Sequence, residues 1–592
     1  MSAKHSPISS ARHLPDSLFH TAEHYPSHPA QWYRQDGEYL PVTYSQLASR
    51  IRHVASGLIR AGVKAGDRVA ILMENRPEWA VADYAILSLG AVTVPLYCSY
   101  RPQDMAYVLK DAGVTAVFVS GGQLLLNLLK AVGNCPDIQA IYTLEEAEGE
   151  LLHHITELES GDADVPALET RLAEISRDQL ATLVYTSGTT ANPKGVMLSH
   201  GNFLANLEAI PDIIEFTAED KMLSFLPLAH ALERMAGHFL PYAFGLSVAF
   251  AERPDTVAKN LAETQPTLMI SVPRMLEVVR SRILGQVAKQ PALKQKLFHH
   301  FLALSGKAAK HGVGGLDALV LKLLDRLVGA RIRQRFGGRI KLMVSGGAPL
   351  STEVAEFFEA VGIPILEGYG LTESSPLISA NPADDRRIGS VGKPVTGVRV
   401  RIAEDGEILA RGANIMLGYW HLDEATKEAV DDEGWLHTGD LGMLDDDGYL
   451  YITGRKKDLI VNSGGENIAP ARIETLLDGD ELIEQSIVYG DQKPYLVALI
   501  VPNQEACLAW AKEEGLPETD WEGLCTSAIF RKALQTKISQ ILKPLNPFEQ
   551  VRRIHIIPKP FTIEDGLLTP TLKIKRRKVY ERYAGVLESL YD

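Results

Sequence analysis

Nowhere do the 592 residues approach the ~18 uninterrupted apolar residues of a membrane-spanning helix. The opening segment, MSAKHSPISSARHLP, lacks the apolar core of a secretory signal, and its polar residues predict a flexible tail over 1–15 on a cytosolic protein. Cysteine is scarce. Cys98, Cys135, Cys507 and Cys525 lie far apart with no CxxC pair, which argues against a cysteine zinc site and a disulfide framework. Excess positive charge is lacking too: the net charge of −14 speaks against nucleic acid as the main partner, since phosphate binding needs a basic footprint. The chain carries 46% hydrophobic and 23% charged residues, ordinary for a globular protein, and it is too long for one core. Two or three domains are expected.

From about Thr43 helical and strand patterns alternate. Leu47 to Gly62 has apolar residues at helical spacing and a terminal glycine. Arg68–Met73 predicts a buried strand, Trp79–Leu89 a helix, and Ala91–Pro95, Ala116–Ser120 and Ala140–Thr143 further strands. Such alternation implies an α/β fold with largely parallel sheets. The acidic stretch from Glu145 to Asp164 is expected to be a surface excursion. Residues 281–340 form a basic, leucine-rich helical insertion whose only acids are Asp317 and Asp325. Short strands and Gly turns near Gly448 and Gly454 precede a compact tail, which places a domain boundary at 455–458. The expected division is a tail (1–15), a large N-terminal domain (16–455) and a small C-terminal domain (456–592).

The most informative segment is Tyr185-Thr-Ser-Gly-Thr-Thr-Ala-Asn-Pro-Lys-Gly195. Hydroxyls and unencumbered backbone amides at Thr186, Ser187, Gly188, Thr189 and Thr190 can wrap a polyphosphate, and Lys194 adds charge. It departs from the GxxxxGK(S/T) loop of common NTPases, with Pro193 for the second Gly and Gly195 where Ser or Thr belongs. The segment resembles the phosphate loop of the adenylate-forming superfamily, which includes acyl-CoA synthetases, beetle luciferases and the adenylation domains of peptide synthetases. Further family signatures follow in the family's order: Gly368-Tyr-Gly-Leu-Thr-Glu373, Thr438-Gly-Asp440, Gly454-Arg-Lys-Lys-Asp458 and Thr569-Pro-Thr-Leu-Lys-Ile-Lys-Arg576. The resemblance spans roughly Thr43 to Tyr580.

The resemblance implies ATP-dependent activation of a carboxylic acid as an acyl-adenylate and transfer of the acyl group to coenzyme A, with ATP, Mg²⁺ and coenzyme A as cofactors. It implies stacked α/β subdomains followed by a small, mobile C-terminal α+β domain. Glu373 is a hard oxygen ligand suited to Mg²⁺, Thr186 is the second implied ligand, and Thr372, next to Glu373, can bond a phosphate oxygen. Asp440 can accept both ribose hydroxyls, and Arg455 adds to those contacts. Tyr369 offers an aromatic face to adenine, Gly368 and Gly370 flank it, and Gly346-Gly347-Ala348 lets the purine approach the backbone. Lys573 is the lysine implied to stabilise charge as the anhydride forms, with Lys575 a nearby competitor and Leu572 where the family carries glycine. Lys457 falls at the family's hinge position. Rotation there would bring Gly465 to the site for pantetheine.

Phe225-Leu-Pro-Leu-Ala-His-Ala-Leu-Glu-Arg234, Ser463–Ile468 and the leucine-rich insertion resemble long-chain fatty acyl-CoA synthetases, so a medium- or long-chain fatty acid is the expected substrate. His230 is placed between the carboxylate pocket and Mg²⁺, and the acyl tunnel near Gly237, Tyr242 and Gly245. Loading of acyl carrier protein, a different acid, or a non-catalytic binding role stay open, as does a monomer or a homodimer. The basic insertion suggests peripheral contact with an anionic membrane.

Overall fold

A computed structural model describes residues 7–186, 192–515, 520–569 and 573–592. The strand–helix alternation becomes two large sheets. Arg68–Leu72, Val92–Pro95, Val114–Val119, Ala140–Thr143 and Leu152–His154 run parallel in an eight-stranded sheet. Leu180–Thr186 joins it parallel to Val92–Pro95, and the chain returns antiparallel as Lys194–Ser199. Lys221–Ser224, Ser247–Phe250, Leu268–Ser271, Leu342–Ser345 and Ile365–Gly370 are the parallel heart of a nine-stranded sheet. These strands are short and almost wholly apolar because helices cover both faces. One core joins the two units, with Ile71 and Phe118 from the first sheet and Met222, Ile270 and Leu366 from the second.

Arg234 ties the units together. Fully buried, its Nε lies 3.1 Å from Asp83 Oδ2, and its Nη1 donates to Thr182 Oγ1 at 2.6 Å. Asp83 sits on the helix Pro77–Ser88 under the first sheet, and His238 Nε2 lies 3.0 Å from its Oδ2. Two charges survive at this depth because each is paired and hydrogen-bonded; removing either partner would cost about 3–5 kcal/mol.

A small antiparallel sheet, Arg399–Ile402, Glu407–Arg411, Leu436–Leu444 and Leu450–Arg455, leads into the turn Lys456–Asp458. Beyond it a three-stranded sheet (Ile483–Tyr489, Leu496–Pro502, Val551–Ile556) packs helices around its own core of Ile473, Val488, Ile500, Phe530 and Ile554. This C-terminal lobe owns its core.

Two expectations need correction. The chain is packed well before residue 16: Ile8 and Leu14 are wholly buried, and His13 Nδ1 accepts from the Asp16 amide to start the helix Leu14–His24. The polar letters of the segment disguise three apolar anchors (Ile8, Ala11 and Leu14) that join the main core. Within the acidic stretch, Leu152–His154 adds an edge strand to the first sheet, and Ile155 and Leu158 are buried beneath the helix Ile155–Glu159. The basic insertion is helical, as Pro273–Ala288, Ala292–His311, Gly315–Leu324 and Ala330–Gln334.

Candidate active site

Where the parallel strand Ile365–Gly370 ends, its last residues form a wall of a cavity of about 820 Å³ between the lobes. Ligands in open α/β sheets bind beyond the carboxyl ends of the strands, and this cavity lies there. Thr186, Lys194, His230, Gly346, Gly347, Gly368, Tyr369, Gly370, Thr372, Glu373, Arg455, Lys457 and Lys573 all line it. Residues from both lobes, far apart in sequence, are thereby gathered in one space.

Asp440, on the strand Leu436–Leu444, is held at both oxygens. Tyr369 donates its hydroxyl to Oδ2 at 2.9 Å, and Arg455 Nε lies 3.1 Å from Oδ1. Burial raises the Asp440 pKa, with Arg455, Tyr369 and Lys573 opposing that shift. Antiparallel pairing puts Asp440 opposite Arg455, so the small sheet itself builds this pair.

Glu373 lies in the turn Thr372–Ser374, and its Oε1 accepts from Tyr419 Oη at 2.8 Å. Its Oε2 has no protein partner among the described residues. The Tyr419 ring lies under Lys194, whose Nζ is 4.7 Å from the ring centroid. No cluster of three acidic, histidine or cysteine side chains that could hold a metal exists among the described residues. One carboxylate and a nearby threonine fit Mg²⁺, which takes one or two protein oxygens and completes its shell with substrate phosphates and water. Gly370 is obligatory here for steric reasons: a Cβ would fall 1.7 Å from the Pro376 carbonyl oxygen.

Lys573 enters from the C-terminal lobe. Its loop is pinned at the base, the Lys573 amide donating to Thr569 Oγ1 at 3.0 Å and the Thr569 amide to the Lys573 carbonyl at 2.8 Å. The side chain is open to the cavity, yet protein surrounds it, so the confined water there solvates it poorly. That desolvation lowers its pKa, Arg455 adds to the effect, and Asp440 and Glu373 oppose it. Lys575 does not line the cavity; the charges that act on it are Asp104, Arg101 and Lys578. Burial pushes His230 down to about 4, with Lys573 acting the same way, so His230 is neutral at neutral pH.

Some expected residues lie elsewhere. Ser187, Gly188, Thr189 and Thr190 fall outside the described residues. Ala348 is exposed and off the cavity wall, because the chain turns outward after Gly347, where φ is +85°. Gly465 sits in an exposed turn between Ile460–Val461 and Asn467–Ile468, away from the cavity. The tunnel residues are a correction. Tyr242 is buried with its hydroxyl accepting from Gln31 Nε2 at 2.8 Å, Gly245 caps a helix, and a Cβ on Gly237 would strike the buried Glu233. The apolar branch is lined instead by Ile210, Ile213, Phe216, Met235, Leu240 and Leu377. Small and aromatic letters at 237–245 served core packing.

Sequence reasoning missed Tyr419, Glu407 and Glu367. Glu407 Oε1 accepts from the Gly439 amide at 2.9 Å and steadies the Thr438–Asp440 turn. Glu367 lines the cavity, and burial raises its pKa to about 7. Its place beside Gly368-Tyr369-Gly370 was the available signal; Tyr419 had none.

The chain belongs to the AMP-binding enzyme family: residues 18–420 match the AMP-binding enzyme domain, and residues 457–592 match the AMP-binding enzyme C-terminal domain. It is 37% identical over 573 residues to the long-chain-fatty-acid–CoA ligase FadD15 of Mycobacterium bovis, covering 94% of this chain and 93% of that protein. It is 33% identical to the peroxisomal long chain acyl-CoA synthetase 6 of Arabidopsis thaliana, covering 94% of this chain and 82% of that one. Among solved structures, the fold resembles that of the anthranilate CoA ligase AuaEII in complex with anthranoyl-AMP, with a TM-score of 0.74 at 21% identity and full coverage of both chains. A Mycobacterium tuberculosis fatty acyl CoA synthetase has the same fold, with a TM-score of 0.63 at 22% identity over 97% of this chain and 99% of that one.

Proposed function

We propose that the protein is an AMP-forming ligase that joins a medium- or long-chain fatty acid to coenzyme A. The observation that carries this is the one cavity in which Lys573, Glu373 and Arg455, the partner of Asp440, meet an apolar branch of chain-binding character. A carboxylate acylates poorly because its leaving group would be oxide. Its attack on the α-phosphorus of ATP forms a P–O bond, breaks the bond to the β-phosphoryl oxygen and releases pyrophosphate. The coenzyme A thiolate then attacks the acyl carbon and AMP departs.

Each half needs positioned cations and little covalent help from the protein. Lys573 reaches the α-phosphate and the reacting carboxylate. Lys194 and the phosphate loop, with Ser187, Gly188, Thr189 and Thr190, hold the β- and γ-phosphates, and Thr372 bonds a phosphate oxygen. Glu373 and Thr186 would hold Mg²⁺, which supplies charge neutralisation on the polyphosphate. Asp440 accepts the ribose hydroxyls with Arg455 beside it, while Tyr369 and the Gly346–Gly347 backbone flank the purine. His230, uncharged, hydrogen-bonds the carboxylate without competing for its charge. Rotation about Lys457 then withdraws Lys573 and brings Gly465 in, so two reactions share one pocket.

Pyrophosphate release with ATP and Mg²⁺ across C2–C20 acids, with and without coenzyme A, tests the reading. A maximum at long chains with turnover that requires coenzyme A is expected. A single turnover despite coenzyme A would point to acyl carrier protein, and release with no acid tested would sink the assignment.

The substrate partitions into bilayers, and we propose that the insertion makes the peripheral contact with an anionic membrane. Leu316, Leu319, Leu323 and Leu327, spaced by three or four, are 75, 67, 59 and 44% exposed, with exposed Lys322 and Arg326 along the stripe. Arg333 is committed inward, paired with Asp325 and donating to the Val361 carbonyl at 3.0 Å. No helix of the described residues is long and apolar enough to cross a membrane. Co-sedimentation with phosphatidylglycerol vesicles should fall in a Leu316→Ser/Leu319→Ser/Leu323→Ser variant and in a Lys322→Glu/Arg326→Glu variant. Unchanged binding of both would end the idea.

A further inference from the structure

The helix Pro273–Ala288 turns a row of polar side chains toward the C-terminal lobe. Arg274 Nη2 lies 3.2 Å from Glu484 Oε1, and Arg274 Nη1 lies 3.5 Å from Glu277 of its own helix. One helical turn and a half further on, Arg280 Nη1 donates to the Gly479 carbonyl at 3.1 Å. Gly479 caps the helix Pro470–Asp478, so a guanidinium here meets an orphan carbonyl at the negative end of the helix dipole. Lys289 pairs with Glu505 further along the same interface.

The seam is incompletely satisfied. Asp478 Oδ1 and Arg280 Nε are buried with no hydrogen-bond partner among the described residues. Glu277 and Glu474 act on Asp478 as like charges, with Arg274 as the compensating cation, and Arg274 and Arg280 compensate Glu277. Unpaired buried polar groups tax the docked state, and the ion contacts of Arg274 and Lys289 offset part of that cost. A contact that must break in every cycle is expected to be built this way.

The same C-terminal helix carries the seam to the chemistry. Glu474 grips Arg576 with both oxygens, at 2.7 and 2.5 Å, and also accepts the Val488 amide at 2.7 Å. Arg576 lies three residues beyond Lys573, at the start of the helix Arg576–Arg582. A path therefore runs from Arg280 through the Pro470–Asp478 helix, and from Arg274 through Glu484 on the strand Ile483–Tyr489, to Glu474 and Arg576, three residues from Lys573.

We propose that Arg274 and Arg280 are positioning residues for adenylate formation: they latch the C-terminal lobe in the orientation that delivers Lys573, and releasing them frees the lobe for thioester formation. The inference rests on the ligase reading for its two half-reactions. The latch is a population device, so its loss slows the first half-reaction and does not slow the second. A general loss of stability would depress both.

The test compares wild type, Arg274→Glu, Glu484→Arg and the Arg274→Glu/Glu484→Arg swap in the full chain. Two rates are read: pyrophosphate formation from acid and ATP, and acyl transfer to coenzyme A from supplied acyl-adenylate. Each single reversal should slow the first by about fivefold, the scale of a partly exposed ion pair turned repulsive. Acyl transfer should not slow, and the swap should recover most of the loss. Parallel loss in both half-reactions, or no recovery in the swap, overturns the latch. Should Arg274→Glu fail to fold, Arg280→Gln and Glu484→Gln carry the same comparison, with a smaller selective loss expected. Trypsin cleavage at the exposed Lys456–Lys457 hinge, with no substrate present, separates the two readings. Faster cleavage in the reversal variants supports the latch even if no acid is turned over, and equal cleavage overturns it.

Discussion

The Tyr369 hydroxyl donates to Asp440 Oδ2 at 2.9 Å, joining the strand end of the large sheet to the small antiparallel sheet. With Arg455 and Lys573 it opposes the rise that burial imposes on the Asp440 pKa. Tyr369→Phe leaves the ring and removes the donor. The Asp440 pKa should rise further, and ATP should bind more weakly by about 1–3 kcal/mol, the cost of a lost hydrogen bond to a charged group. Calorimetric titration with AMP and with ATP, repeated from pH 6 to 8, measures both effects.

Lys573 and Lys575 should separate cleanly. Lys573→Ala is expected to lower the rate of adenylate formation by roughly a hundredfold or more, the scale of one lost electrostatic contact to a transition state, while Lys575→Ala stays near wild type. The lowered pKa adds a pH signature. The protonated amine is the useful form, so activity should decline at alkaline pH sooner than an ordinary lysine would dictate. Lys573→Arg keeps its charge and should move that decline upward, if any activity remains to follow. Rapid-quench pyrophosphate assays from pH 7 to 10 report this.

Glu233 is 1% exposed, its Oε2 has no partner among the described residues, and burial raises its pKa to about 8. Ser224 donates to its Oε1 at 2.6 Å. In the folded protein the acid binds a proton that the unfolded chain has already lost above its ordinary value of 4.5. Its contribution is therefore fully present below about pH 4.5 and is lost as pH rises toward 8. Glu233→Gln keeps the acceptor and cannot ionise. Its melting temperature should match wild type near pH 5 and exceed it by a growing margin toward pH 8; equal melting curves across that range would contradict the assignment.

The Phe216 and Phe244 rings, 4.6 Å apart between centroids, close on the apolar branch, and Phe216 lines it. Removing the ring should lengthen the space for the acyl chain. Phe216→Ala is expected to shift the preferred acid by two or more carbons toward longer chains, at some cost in stability. A chain-length series of kcat/KM values shows whether the maximum moves.

Much of this protein was legible before any coordinates. Strands and helices of the first sheet followed from apolar runs and 3.6-residue spacing, because helices cover both faces and leave little room for polar letters. Thr186, Lys194, Tyr369, Thr372, Glu373, Arg455, Lys457 and Lys573 line one cavity because each belongs to a short motif with a recognisable order. The acyl branch escaped that logic. Its walls come from Ile210, Met235 and Leu377, on separate elements, and apolar residues carry no local mark that tells a tunnel from a core. Tyr419 met Glu373 only because Gly418–Tyr419 pairs with the strand Lys194–Ser199, a long-range register no local pattern encodes. The same holds for Ile8 and Leu14, whose burial depends on partners hundreds of residues away. Local order thus determined the chemistry at the ends of the strands. Tertiary packing decided the shape of the space around it and the seam that brings Lys573 there, because shape and docking are set by contacts between distant residues.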